Sequence, residues 1–211
     1  MPSRPALATA AVILATSAAA CAGAGPTASL SLGPATAPPT TGPSGQSDLD
    51  RAFIDMMVPH HQAAVEMARV AQERATRDEL RSLADDIVRA QEAEIGQLRE
   101  WRTSWFGSAE TPGMDEMPLM PGMGMPGMDG MSMDGTMDMT ADVESLRTAE
   151  PFDRAFIEAM IPHHESAIAA AEIVVASTDR EQLKTLAAGI IAAQQREIDQ
   201  MQEWLASWYP S

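Results

Sequence analysis

Asp50–Ala64 reads DRAFIDMMVPHHQAA and Asp153–Ala167 reads DRAFIEAMIPHHESA, nearly the same text at a separation of 103 residues. The register continues without a gap to Trp105 and Trp208, and about 25 of the 56 aligned positions are identical. All four histidines, His60, His61, His163 and His164, lie in the two Pro-His-His copies. A chain that concentrates every imidazole in one duplicated dipeptide points to metal binding, a task that imidazole performs well.

Working outward, each copy carries two helical patterns. In the first, Ser47 or Asp48 is placed to cap a helix over about Leu49–Arg74. Thr76-Arg77-Asp78-Glu79 has the capping-box spacing that opens a second helix, ending near Trp105–Gly107. The second copy predicts helices over about Pro151–Ser177 and, after the box Thr178-Asp179-Arg180-Glu181, to about Trp208. Connections of a few residues make the two helices of each copy antiparallel. Two such hairpins, each with an apolar face, bury those faces against each other. The expected fold is all-α, a four-helix bundle with a pseudo-two-fold axis and no strand.

The remainder divides by composition. Residues 1–20 have an early positive charge, Arg4, then an apolar run shorter than the roughly 20 residues of a spanning helix, as in a signal peptide. Cys21, the single cysteine, follows Ser17 and three alanines and resembles the lipidated cysteine of a bacterial lipoprotein, although Ala18 stands where Leu is usual. Plain secretion is the alternative. Either way, one cysteine forms no internal disulfide, and the expected location is outside the cytoplasmic membrane, anchored to its outer face through lipid. Residues 21–46, rich in Ala, Gly, Pro, Ser and Thr, read as a disordered tether. The first hairpin is assigned to 47–107, a Met-rich loop to 108–141 and the second hairpin to 142–209, with 47–209 forming one domain. Net charge is -16, which argues against nucleic acid and for cationic partners. No protein partner is indicated.

The loop holds Met114, Met117, Met120, Met123, Met125, Met128, Met131, Met133, Met137 and Met139, ten of the chain's 16 methionines. Its Gly and Pro content precludes a stable helix. Thioether sulfur is soft and selects copper(I), so these methionines are candidate secondary ligands.

On the helices, Phe53, Met57, His60, Ala64, Met67 and Ala71 share one stripe, with His61 about 100° away but still at the apolar border. Pro59 and Pro162 each remove a helical hydrogen bond just ahead of the histidines and are expected to kink the helix there. The facing helix has the stripe Leu80, Leu83, Ile87, Leu98, Trp101 and Trp105, interrupted in its middle by Gln91 and Glu94. Gln194 and Glu197 repeat the interruption among Leu183, Ile190, Met201, Trp204 and Trp208. A carboxylate aimed toward a core is costly unless paired or bound to metal. The candidate metal ligands are therefore His60, His61, Met57 and Glu94 in one copy and His163, His164, Met160 and Glu197 in the other, with Gln91 and Gln194 in support. For Met57 or Met160 alone, core packing is the competing reading. The ligand set favours copper, and no organic cofactor is expected.

The pattern F-I-x-x-M-[VI]-P-H-H-x-x-A, followed by Q-x-x-E-I six residues before a Trp, resembles the domain of unknown function 305 family. The resemblance spans about Asp48–Trp208 apart from the loop. It implies a helical, ferritin-like bundle, and copper binding in extracytoplasmic members. Leu98 opposite Met201, and Ala170 opposite Met67, make the two copies unequal. The leading expectation is a copper-binding protein that sequesters or transfers the ion and catalyses nothing. One alternative is a ferritin-like copper or iron oxidase, although the Glu-x-x-His pairs of di-iron bundles are absent from the chain. Another is a metal-free helical interaction module of the cell envelope.

Overall fold

The structure is a computed structural model, and it describes residues 44–118, 136–137 and 139–210. The expected signal segment, Cys21, most of the tether and Met120, Met123, Met125, Met128, Met131 and Met133 lie outside the described residues. The described chain is an all-α bundle of four long helices and one short one. Helix α1 spans Ser44–Arg74 and α2 Asp78–Phe106. Helix α3 spans Thr140–Thr148, α4 Phe152–Ser177 and α5 Glu181–Trp208. Helices α1 and α2 form one antiparallel hairpin and α4 and α5 the other, and α1 packs against α4 between them. None of the described helices is long and apolar enough to cross a membrane.

Two apolar clusters fill the bundle, one toward each end. Phe53, Ile54, Met57, Leu98, Ala170, Val174, Leu183 and Ile190 build the first. Met67, Leu80, Leu83, Ile87, Phe156, Ile157, Met160 and Met201 build the second. A fully buried side chain of this size contributes roughly 1.5–3 kcal/mol, so each cluster alone outweighs any single polar contact. The histidines lie between the two clusters along α1 and α4.

Several local expectations are corrected. Helix α1 starts at Ser44, so neither Ser47 nor Asp48 caps it. Neither capping box forms. The Thr76 amide and hydroxyl instead donate to the buried Asp153 across the bundle, at 2.8 and 2.6 Å. The Thr178 hydroxyl accepts from the Arg180 amide at 3.1 Å, a local turn. Tertiary demand wins over a cap worth about 1 kcal/mol. Both prolines are accommodated within continuous helices. Gly107 ends α2 with φ 84°, a left-handed cap position that suits a residue without Cβ.

The segment between the hairpins is not all loop. Met117–Pro118 and Thr136–Met137 pair as a two-residue antiparallel ladder, where no strand was expected. Helix α3 begins within the expected loop and buries Val143 and Leu146 against the second cluster. Met139 is buried in the first cluster beside Phe53 and Ile54.

The hairpins are clamped reciprocally at both ends. Arg180, from the turn of the second, bonds the buried Asp50 at 2.9 Å and lies 4.1 Å over the Trp105 ring. Arg77, from the turn of the first, sits 3.9 Å from Asp153 and 4.2 Å over Trp208. The indoles beneath are stacked in pairs, Trp101 on Trp105 and Trp204 on Trp208.

Candidate metal centre

Pro59-His60-His61 on α1 and Pro162-His163-His164 on α4 place four imidazoles where the two hairpins meet. Their exposures are 1, 0, 5 and 0 % in chain order, so none faces bulk water. The inner rings, His60 and His163, come from opposite hairpins and approach to 3.8 Å between centroids, tilted by 42°. The outer rings turn toward their own hairpin. His61 Nε2 meets Glu94 Oε2 at 2.8 Å, and His164 Nε2 meets Glu197 Oε2 at 2.6 Å. The histidines of the two hairpins thus meet in a single layer between them.

The hydrogen bonds fix which nitrogens are free. A carboxylate only accepts, so the Nε2–H of His61 and of His164 donates to it, and a neutral ring then carries its lone pair on Nδ1. Both Nδ1 atoms are buried without a partner. His60 Nε2 lies 2.7 Å from Ser166 Oγ, and its Nδ1 is likewise buried and unpartnered. His163 has no partner at either ring nitrogen. Gln91 and Gln194, 3 % exposed, each add an unpartnered Oε1. Buried polar atoms without partners are rare because each costs about 1–3 kcal/mol. Seven of them are gathered on these six residues.

The electrostatics disfavour a proton on the inner rings. Burial, then the charge of the neighbouring rings, holds His60 and His163 well below the usual imidazole range. Both are neutral near pH 7, the form in which imidazole ligates metals. The outer members of the layer reach solvent through their carboxylates, with Glu94 20 % and Glu197 18 % exposed.

Met57 and Met160, one turn ahead of the histidines, are fully buried, each within a different apolar cluster. The nitrogens are paired rather than converged. Among the described residues no three His, Cys, Asp or Glu side chains already surround one point. Ser166 was not anticipated. The signal for it was its alignment with Ala63, an apolar-to-polar exchange two residues after the His pair. At the root of the Met-rich segment the Met139 amide donates to the Met114 carbonyl at 3.0 Å. Met114 lines a groove of about 330 Å³ between α1 and α2 with Gln62, Val65 and Ile95, on the face of the first hairpin.

Solved structures of the same architecture put this layer in context. CopM in its Cu(II)-bound form is 40 % identical with a TM-score of 0.62, covering 76 % of this chain and 97 % of its own. CopM in its Cu(I)-bound form is 35 % identical with a TM-score of 0.61 over the same shares. A DUF305 protein of Streptomyces coelicolor, described as a candidate secreted protein, is 30 % identical with a TM-score of 0.62, covering 75 % of this chain and 93 % of its own. No curated protein matches the chain. Residues 50–205, most of the chain, match the family described as Domain of unknown function (DUF305), and the chain belongs to that family.

Proposed function

We propose that the protein binds copper outside the cytoplasm, holding it in the histidine layer for sequestration or transfer, without turnover. The observation that carries this reading is the set of five buried imidazole nitrogens without hydrogen-bond partners at the junction of the hairpins. Imidazole serves both copper oxidation states, and thioethers select copper(I). Similarity to CopM in copper-bound forms supports copper over other ions with the same donor preference.

In this reading His60, His61, His163 and His164 are the ligands. Glu94 and Glu197 hold the outer rings by Nε2 and raise their basicity, the usual role of a carboxylate behind a metal-bound imidazole. Gln91 and Gln194 offer carbonyl oxygens from the facing helices. Met57 and Met160, one turn ahead of the histidines, would supply sulfur only after a rotamer change, which thioether side chains make readily. Binding draws the paired rings toward a common ion. Met114 and Met117, with the other methionines of the segment, supply weaker, exchanging sites for acquisition. A lipid on Cys21 would keep the protein at the outer face of the cytoplasmic membrane.

The test is titration of the mature domain with copper(I) and copper(II) against a competing chelator, alongside a variant with all four histidines replaced by Asn. The expected result is loss of the tightest sites while the loop retains weak copper(I) binding. Undiminished affinity in a variant that also lacks the loop methionines would overturn the proposal. Dioxygen consumption with copper(I) or iron(II) above the rate of free metal would favour the oxidase instead.

A further inference from the structure

The two inner histidines are not equivalent, and the cause is one hydroxyl. Ser166 is buried on α4 and donates its single proton to the His163 carbonyl one turn back, at 2.7 Å. With that proton committed, Ser166 Oγ can only accept from His60 Nε2, 2.7 Å away. The opposite arrangement takes the hydroxyl proton away from the His163 carbonyl to donate it to Nε2, and it leaves a proton on Nδ1, which is buried and makes no hydrogen bond of normal geometry. An orphaned N–H is rarer in folded proteins than an under-used acceptor. In the first hairpin the position equivalent to Ser166 is Ala63, which has no hydroxyl. His163 makes no side-chain hydrogen bond at either nitrogen and meets only the backbone of His60.

We infer that Ser166 is a positioning residue that locks His60 as the Nε2–H tautomer and so presents its Nδ1 lone pair to the ion, while His163 remains free to ligate through either nitrogen. The assignment rests on the copper reading of the layer for its purpose, though not for its geometry. It makes the centre asymmetric: three rings enter with a fixed donor atom, His60 through Ser166 and His61 and His164 through their carboxylates. The fourth ring adapts its donor atom to the ion.

Ser166→Ala places at 166 the residue that the first copy already carries at 63, so the bundle tolerates it. Long-range ¹H–¹⁵N spectra of the metal-free protein read the tautomer of each ring directly. The expected spectrum has His60 in the Nε2–H form with Ser166 present and as a mixture in the variant, with His61 and His164 unchanged. Competition titration with copper(I) should then show affinity lowered about 10-fold, the lower end for loss of a residue that orients a metal-binding imidazole. Finding His60 in the Nδ1–H form, or an identical mixture in both proteins, overturns the lock. An altered tautomer with unaltered copper affinity overturns its role in presentation. If the unmodified protein binds no copper in the layer, the copper reading fails, and the spectra still decide whether Ser166 sets the tautomer.

Discussion

The two end clamps of the bundle are built from the same residues and differ in completeness. At one end Asp153 accepts from the amide and hydroxyl of Thr76, with Arg77 3.9 Å away and lying over Trp208. At the other, among the described residues, Asp50 accepts only from Arg180, and its Oδ1 is buried without a partner. The residue standing where Thr76 stands is Asp179, which brings no hydroxyl donor and adds a negative charge. The inner histidines diverge in the same manner, Ser166 facing His60 where the other copy has Ala63. The two halves share one frame, and single positions decide which polar groups find partners.

The largest expected effect breaks the comparison at the clamps. Arg180→Ala leaves Asp50 as an unpaired buried charge and should cost about 3 kcal/mol in denaturant unfolding. Arg77→Ala removes an equivalent cation–π contact but leaves Asp153 its two Thr76 bonds, so about 1 kcal/mol is expected. Equal losses would mean that the clamps are interchangeable.

Acidification acts on both halves of the histidine layer together. The depressed values of His60 and His163 mean that below about pH 6.5 the unfolded chain takes up protons which the folded protein refuses. Stability of the metal-free protein is therefore fully present above that pH and falls below it. The slope approaches about 2.7 kcal/mol per pH unit for two rings. Unfolding midpoints between pH 7.5 and 5.5 measure it, and a double His60→Asn, His163→Asn variant should flatten the slope.

Glu94→Gln and Glu197→Gln sharpen the comparison where the halves agree. Each carboxylate holds one outer ring in the same way, so each change should lower copper affinity about 10-fold, and by the same factor. A large inequality between them would place the ion closer to one hairpin. The smallest effect is a gain. Asp179→Thr should restore to Asp50 the donors that Asp153 enjoys, raising stability by about 1 kcal/mol in the same unfolding assay.

Much of this architecture is legible in the chain. The helical period and the short turns give four long helices within a few residues, and Gln91, Glu94, Gln194 and Glu197 stand out because they interrupt an apolar stripe. What local pattern cannot convey is a donor recruited from far away. Thr76 looks like a cap and serves Asp153, 77 positions along the chain; Arg180 looks like a turn residue and serves Asp50, 130 positions back. Helix α3 was hidden by the neighbouring Met, Gly and Pro composition, and Met139 by its membership of a loop-like run. The shared layer was obscured because each Pro-His-His reads as a self-sufficient motif. Only the packing of α1 on α4 reveals that the inner rings belong to each other.

The partial exposure of Glu94 and Glu197 bears on time as well as on affinity. The rings they hold are wholly enclosed, so on the copper reading the two carboxylates are the parts of the layer that meet solvent first. Residence time then depends on how readily those side chains depart, whereas equilibrium grip depends on all four imidazoles. Exposed neighbours that crowd either glutamate would then act on the rate of exchange, whereas loss of a glutamate itself also costs affinity.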